Sequence, residues 1–136
     1  MRGPGFETDP AFLSSAHVGF ADHLDGPVAW WHHAASLQDA PLQLRYTGLD
    51  PAARYKVRVV YGGETPLQKI GLSAGENEEV EIHPLIQKPF PIRPIEFDIP
   101  REGTARGELT LTWRRQQGLG GNGRGCQVSE VWLMKK

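Results

Sequence analysis

Tyr55-Lys56-Val57-Arg58-Val59-Val60-Tyr61 and Leu109-Thr110-Leu111-Thr112-Trp113-Arg114 decide the fold class. In the first stretch Tyr55, Val57, Val59 and Tyr61 alternate with Lys56 and Arg58. In the second, Leu109, Leu111 and Trp113 alternate with Thr110, Thr112 and Arg114. Successive side chains of an extended chain point to opposite faces, so each stretch reads as a strand with one buried face. The same period continues outward. Leu42, Leu44 and Tyr46 stand against Gln43 and Arg45, Val80 and Ile82 against Glu79 and Glu81, and Ile95, Phe97 and Ile99 against Glu96 and Asp98. Further strands are expected at residues 27–32, 69–73 and 126–134, with a shorter one near 17–20. One helical turn or two is expected around Ala34-Ala35-Ser36-Leu37-Gln38, stopped by Pro41. Eight or nine short strands with almost no helix predict an all-β chain, an antiparallel β-sandwich or jelly roll. Trp113, continuing the face of Leu109 and Leu111, is expected in its core.

The connections support this. Gly (16) and Pro (11) punctuate the chain instead of clustering, as many short elements joined by turns require. Thr47-Gly48-Leu49-Asp50-Pro51-Ala52-Ala53 reads as a hairpin turn or corner. Pro84, Pro89, Pro91 and Pro94 mark an extended connection between sheets, with a recognition segment as the second use for such a stretch. The 136 residues, 39% hydrophobic and 23% charged, fit one domain with a real core, residues 1–10 being a flexible or added start. Met1-Arg2-Gly3-Pro4-Gly5 lacks the apolar stretch of an export signal, and the chain reads as a piece of a longer multidomain protein.

Composition also excludes functions. Lys plus Arg (15) nearly equal Asp plus Glu (16), for a net charge of -1. That balance argues against nucleic acid, which calls for a basic stripe, and against a polybasic membrane surface. Apolar runs are too short for a membrane-spanning helix. The single Cys126 excludes an intrachain disulfide and a thiolate metal cluster. It is expected to be a buried small hydrophobe. No nucleophile elbow, phosphate-binding Gly-Lys-Ser/Thr loop or His-Glu-x-x-His helix is present, so the chain is expected not to be an enzyme. The adjacent His32 and His33 point to opposite strand faces and do not readily chelate one ion. No cofactor is expected. Glu7, Asp9, Asp22 and Asp25 leave a structural calcium as an option, without EF-hand spacing.

Two segments break the economy of the rest. Trp30-Trp31-His32-His33 sets two indoles side by side, and an exposed Trp marks a binding surface because its flat face stacks on sugar C–H groups or partner side chains. One of the pair in the core and the other under a loop is the plainer alternative. Residues 118–125 hold five Gly in eight, a loop that is entropically expensive to order and that displays Asn122 and Arg124. Both side chains suit hydroxyl or carboxylate recognition.

Gly118-Leu119-Gly120-Gly121-Asn122-Gly123-Arg124-Gly125-Cys126-Gln127-Val128-Ser129-Glu130-Val131-Trp132-Leu133 resembles the close of galactose-binding-like β-sandwiches, in which a Gly-rich loop carrying an Asn leads into the last strand. The corner at Tyr46–Pro51, followed by Tyr55–Val59, is similar to strands of the same modules. The resemblance implies a non-catalytic carbohydrate-binding module of a bacterial polysaccharide-degrading enzyme, with Asn122 matching a loop Asn that contacts sugar hydroxyls. Here Gly120-Gly121 stands where the family has Gly-Pro, and Arg124 has no fixed counterpart. On this reading Trp30 or Trp31 stacks on a pyranose, and His33, Asp39, Arg115, Asn122 and Arg124 complete the site. The two unusual segments are then expected to meet at one end of the sandwich. The expected ligand is an oligo- or polysaccharide of plant or algal type. The module is expected to be a monomer appended to a catalytic domain, in an extracellular or periplasmic parent protein. The alternative is a structural domain that packs on its catalytic neighbour and binds no free glycan.

Overall fold

The computed structural model describes residues 17–20, 32–37, 39–62, 68–118 and 124–136. Ten strands follow in chain order: β1 His17–Phe20, β2 His32–Leu37, β3 Leu42–Tyr46, β4 Tyr55–Val60, β5 Lys69–Ala74, β6 Val80–Gln87, β7 Pro94–Ile99, β8 Leu109–Arg115, β9 Arg124–Val128 and β10 Glu130–Lys135. They form three antiparallel ladders in the orders β3-β8-β5-β6, β10-β4-β7 and β1-β2-β9. Among the described residues the helical element is a 3-10 turn at Arg101–Gly103. The all-β antiparallel sandwich read from the alternation is the fold of the protein.

The period-two faces meet as physical chemistry requires. Val57 and Val59 of β4 pack with Leu109, Leu111 and Trp113 of β8, Ile70 and Leu72 of β5, and Cys126 and Val128 of β9, all buried in one cluster. Burying such side chains, at about 25 cal/mol per Å² of apolar surface, is the main favourable term in folding. One polar chain threads this core. The Trp113 indole Nε1–H donates to the Tyr61 hydroxyl at 3.0 Å, and that hydroxyl lies 2.6 Å from His83 Nε2. His83 Nδ1 is 2.7 Å from the Pro84 carbonyl, an acceptor only. In the neutral ring Nδ1 therefore carries the proton and Nε2 accepts from Tyr61, and burial lowers the His83 pKa, which favours that form.

Three expectations change. Residues 34–37 form the strand β2, not a helical turn. Ala35 and Ser36 are buried, and the Cys126 backbone N–H donates to Ser36 Oγ at 2.9 Å. Pairing with β1 and β9 overrides the local helix preference. The expected strand at 27–32 falls outside the described residues except for His32, which opens β2. The single strand expected over 126–134 is two: at Ser129 the chain leaves its ladder with β2 and joins β4, with the Ser129 N–H donating to the Val60 carbonyl at 2.8 Å.

The corner behaves as read and the Pro-rich stretch in part: Pro89 and Pro91 lie on the connection, whereas Pro84 sits within the edge strand β6 and Pro94 opens β7. The corner carries the chain from β3 to β4, in another ladder, with Asp50 Oδ1 accepting from the Ala52 N–H at 2.9 Å. The Pro-rich connection carries it from β6 to β7, again between ladders. The antiparallel registers gather the β2–β3, β4–β5, β6–β7 and β8–β9 connections at one end of the sandwich. The β3–β4, β5–β6 and β7–β8 connections gather at the other, where the Leu49 N–H donates to the Gly107 carbonyl at 2.9 Å.

Candidate functional site

At the end where β8 and β9 are joined, Asp39 follows β2 and Arg115 closes β8. Arg115 Nε donates to Asp39 Oδ1 at 2.9 Å, and the Gly118 N–H reaches Asp39 Oδ2 at 3.4 Å. Gly118 has φ +78°, a left-handed conformation that suits glycine. The Arg115 hydrogen bond, with help from Gly118, holds the Asp39 carboxyl below its ordinary range. The Arg115 side chain is only 2% exposed, whereas that of Asp39 is 41% exposed. The two residues read separately as sugar contacts are therefore one device. Arg115 is enclosed and fixes Asp39, and Asp39 anchors the start of the Gly-rich segment.

His33 is also placed inside. It is 2% exposed and lines an apolar groove beside Leu42, Trp113 and Val128. The β2–β9 register sets Arg124 opposite Leu37, four residues along β2 from His33, a separation of about 13 Å at roughly 3.3 Å per residue. In their described parts, then, the two unusual segments approach β2 from opposite ends instead of meeting. Trp30, Trp31 and Asn122 lie outside the described residues, as do Glu7, Asp9, Asp22 and Asp25. Among the described residues no group of three or more His, Cys, Asp or Glu is placed to hold a metal ion.

Other groups stand at this end that the sequence reading did not select. Phe90, on the β6–β7 connection, is 68% exposed. Lys88, two residues earlier, is buried, and its ammonium donates to the Gly62 carbonyl at 2.9 Å and to Gln127 Oε1 at 3.1 Å. The exposed Phe was visible in the Pro-rich stretch only as one apolar residue among prolines. A buried lysine has no sequence signal. Cys126 is buried, and desolvation raises its thiol pKa to about 11. A thiol reagent should therefore label the native protein far more slowly than the unfolded chain. Rapid native labelling would contradict this environment.

Trp132 stands apart from that end, on the outer face of the β10-β4-β7 sheet. It is 57% exposed. The register sets it opposite Arg58, which is opposite Glu96. Its indole Nε1–H reaches Glu130 Oε2 at 3.4 Å, and Lys56 pairs with Glu96 at 3.3 Å.

No protein-family model and no curated protein sequence matches the chain. Solved structures do match in fold. A family 61 carbohydrate-binding module in complex with β-1,4-galactotriose superposes with a TM-score of 0.52 at 18% identity, over 100% of this chain and 97% of that one. A Bacillus subtilis family 43 arabinoxylan arabinofuranohydrolase in complex with cellotetraose gives 0.52 at 16% identity, over 89% of this chain and 24% of the enzyme. A family GH115 4-O-methyl-α-glucuronidase with specificity for decorated arabinogalactans gives 0.52 at 13% identity, over 93% of this chain and 17% of the enzyme. The chain has the β-sandwich fold of carbohydrate-binding modules.

Proposed function

We propose that the protein is a non-catalytic carbohydrate-binding module that brings an appended glycoside-active enzyme to a plant or algal-type polysaccharide. One observation carries this reading: the fold matches a module solved with a galactose oligosaccharide from end to end, 100% of this chain against 97% of that one. The likenesses to two carbohydrate-active enzymes cover 24% and 17% of their lengths, the share one domain of a larger chain would take. On this reading the protein is a monomeric part of an extracellular or periplasmic parent and needs no cofactor.

The binding end is the one that gathers Asp39, Phe90 and the Gly-rich segment. Phe90 is its stacking candidate among the described residues, and Asp39, Asn122 and Arg124 are its hydrogen-bonding candidates. Arg115 acts through Asp39 as a positioning residue. Titration calorimetry with β-1,4-galactotriose, arabinoxylan oligosaccharides and arabinogalactan tests the reading. Binding should be weak, roughly micromolar to millimolar, because a shallow site gains few contacts. Asn122→Ala should weaken it by about 1 kcal/mol by leaving a sugar hydroxyl unpaired. Removal of the stacking aromatic should weaken it by about 1–3 kcal/mol. Silence of the wild-type protein toward all three glycans would sink the proposal.

A further inference from the structure

We propose that Trp132 is the platform of a second glycan-binding surface, on the outer face of the β10-β4-β7 sheet and separate from the loop end. The inference rests on the carbohydrate-binding reading above and adds to it a ligand contact in mid-sheet.

Four observations carry it. First, the Trp132 ring is 57% exposed, although a large aromatic is normally buried in a sandwich. Its neighbours Val131 and Leu133 take the inner face, opposite Val59 and Val57. Second, the ring has a long hydrogen bond on its own face that favours one orientation. Residues two apart on a strand share a face, and Glu130 Oε2 accepts from the indole Nε1–H at 3.4 Å. A platform biased toward one orientation has less freedom to lose on binding. Third, polar groups surround it on the same face. Arg58 lies directly across and has no ion pair among the described residues, while Glu96, one strand further, pairs with Lys56 at 3.3 Å. Fourth, the cations Arg58, Lys56 and Lys136 balance the carboxylates Glu96, Glu130 and Asp98, with Lys136 and Asp98 paired at 2.7 Å, so these six groups carry no net charge.

This combination suits a neutral pyranose. The apolar face of the sugar stacks on the indole, and its hydroxyls meet the guanidinium and carboxylates at the rim. A protein partner suits it poorly. A stable interface takes about 800 Å² per partner with a core depleted of charge. Here the apolar part is Trp132 with the half-buried Met134, ringed by charged side chains. A polysaccharide long enough to reach both the loop end and β10 would gain from two contacts without any change in either.

The test titrates the ¹⁵N-labelled wild-type chain, Trp132→Ala and Trp132→Phe with β-1,4-galactotriose and with soluble β-1,4-galactan. Trp132 is exposed, so both variants should melt close to the wild type. The indole N–H resonance that disappears in Trp132→Ala should shift in the wild type as ligand is added. Trp132→Ala should lose about ten-fold or more of its galactan affinity, and Trp132→Phe should recover part of the loss. If the wild type binds but that resonance stays still and Trp132→Ala binds as tightly, the second surface is overturned while the carbohydrate-binding reading stands. If the wild type binds neither probe nor the other glycans named above, both fall. If Trp132→Ala abolishes self-association in light scattering and leaves galactan affinity intact, the face is a protein contact and the proposal is overturned.

Discussion

Trp113→Ala is expected to lower the unfolding free energy by about 3–5 kcal/mol, the range for truncating a large aromatic in a close-packed core. The indole is 1% exposed at the middle of β8, paired with Leu42 of β3 on one side and Leu72 of β5 on the other. Truncation removes its dispersion contacts and leaves a cavity between strands fixed by their own ladders, which collapse around it only in part. It also removes the donor to the Tyr61 hydroxyl, at 3.0 Å. That hydroxyl is itself buried, and desolvation raises its pKa far above the ordinary value. The buried phenol then keeps only its bond to His83, and its lost donor adds to the cost. Trp113→Phe separates the effects, because it restores most of the volume but not the N–H, and should cost clearly less than Trp113→Ala. Urea denaturation of the three proteins measures this. An unchanged midpoint for Trp113→Ala would place the indole outside the core.

The strands β4 and β8 were legible because each carries a complete period-two pattern in its own residues. β2 was not. Ala34-Ala35-Ser36-Leu37 prefers helix locally, and what makes it a strand is pairing with β9, where Cys126 bonds to Ser36 across 90 positions of sequence. No local pattern encodes such a partner. Trp132 is a subtler case. Read as one strand with β9, it shares a face with Cys126 and Val128, which are buried. The change of ladder at Ser129 inverts the alternation, so Val131 and Leu133 turn inward and Trp132 turns out. One residue of irregularity flips every later side chain. The alternation of Val131 and Leu133 already leaves Trp132 either half-exposed or in an outer cluster with Val128, and the change of ladder decides for exposure, at 57%.

The candidate site was half legible for a related reason. Asp39 and Arg115 were both selected as polar residues near unusual segments, but their mutual hydrogen bond joins positions 76 apart. The pairing turns Arg115 from a presumed sugar contact into an enclosed support for Asp39. His33 was selected by proximity to the Trp pair, and strand alternation sends its side chain inward. Residue type indicates which chemistry a group is able to perform; only the register says whether a ligand can reach it.

The stability difference between the wild type and Lys88→Met is expected to grow in favour of the wild type as pH rises from about 8 to about 10.5. Lys88 is 3% exposed, with its ammonium on the Gly62 carbonyl and Gln127 Oε1 and no carboxylate partner among the described residues. Desolvation pushes its pKa from 10.5 down to about 8. Below pH 8 both folded and unfolded chains hold the proton, and the full penalty of a buried charge opposes folding. Between pH 8 and 10.5 the folded state has released the proton and the unfolded state has not, so the unfolded state binds more protons and stability rises with pH. The rise is about 1.4 kcal/mol per pH unit, about 3 kcal/mol over the window. Cys126 acts in the opposite sense. Its native pKa of about 11 against an ordinary 9.0 makes the folded state hold a proton that the unfolded chain gives up, which lowers stability between those values. The two effects largely cancel in the wild type above pH 9, so its own pH profile reveals Lys88 only between 8 and 9. Lys88→Met keeps the aliphatic length and Cys126 but removes the titrating amine, so subtracting its profile from that of the wild type gives the lysine together with its coupling to the Cys126 thiol. Chemical denaturation at half-unit steps from pH 7 to 10.5 supplies both curves. Parallel curves would mean that the amine keeps its ordinary pKa, and that the buried position with two carbonyl acceptors is not its environment in solution.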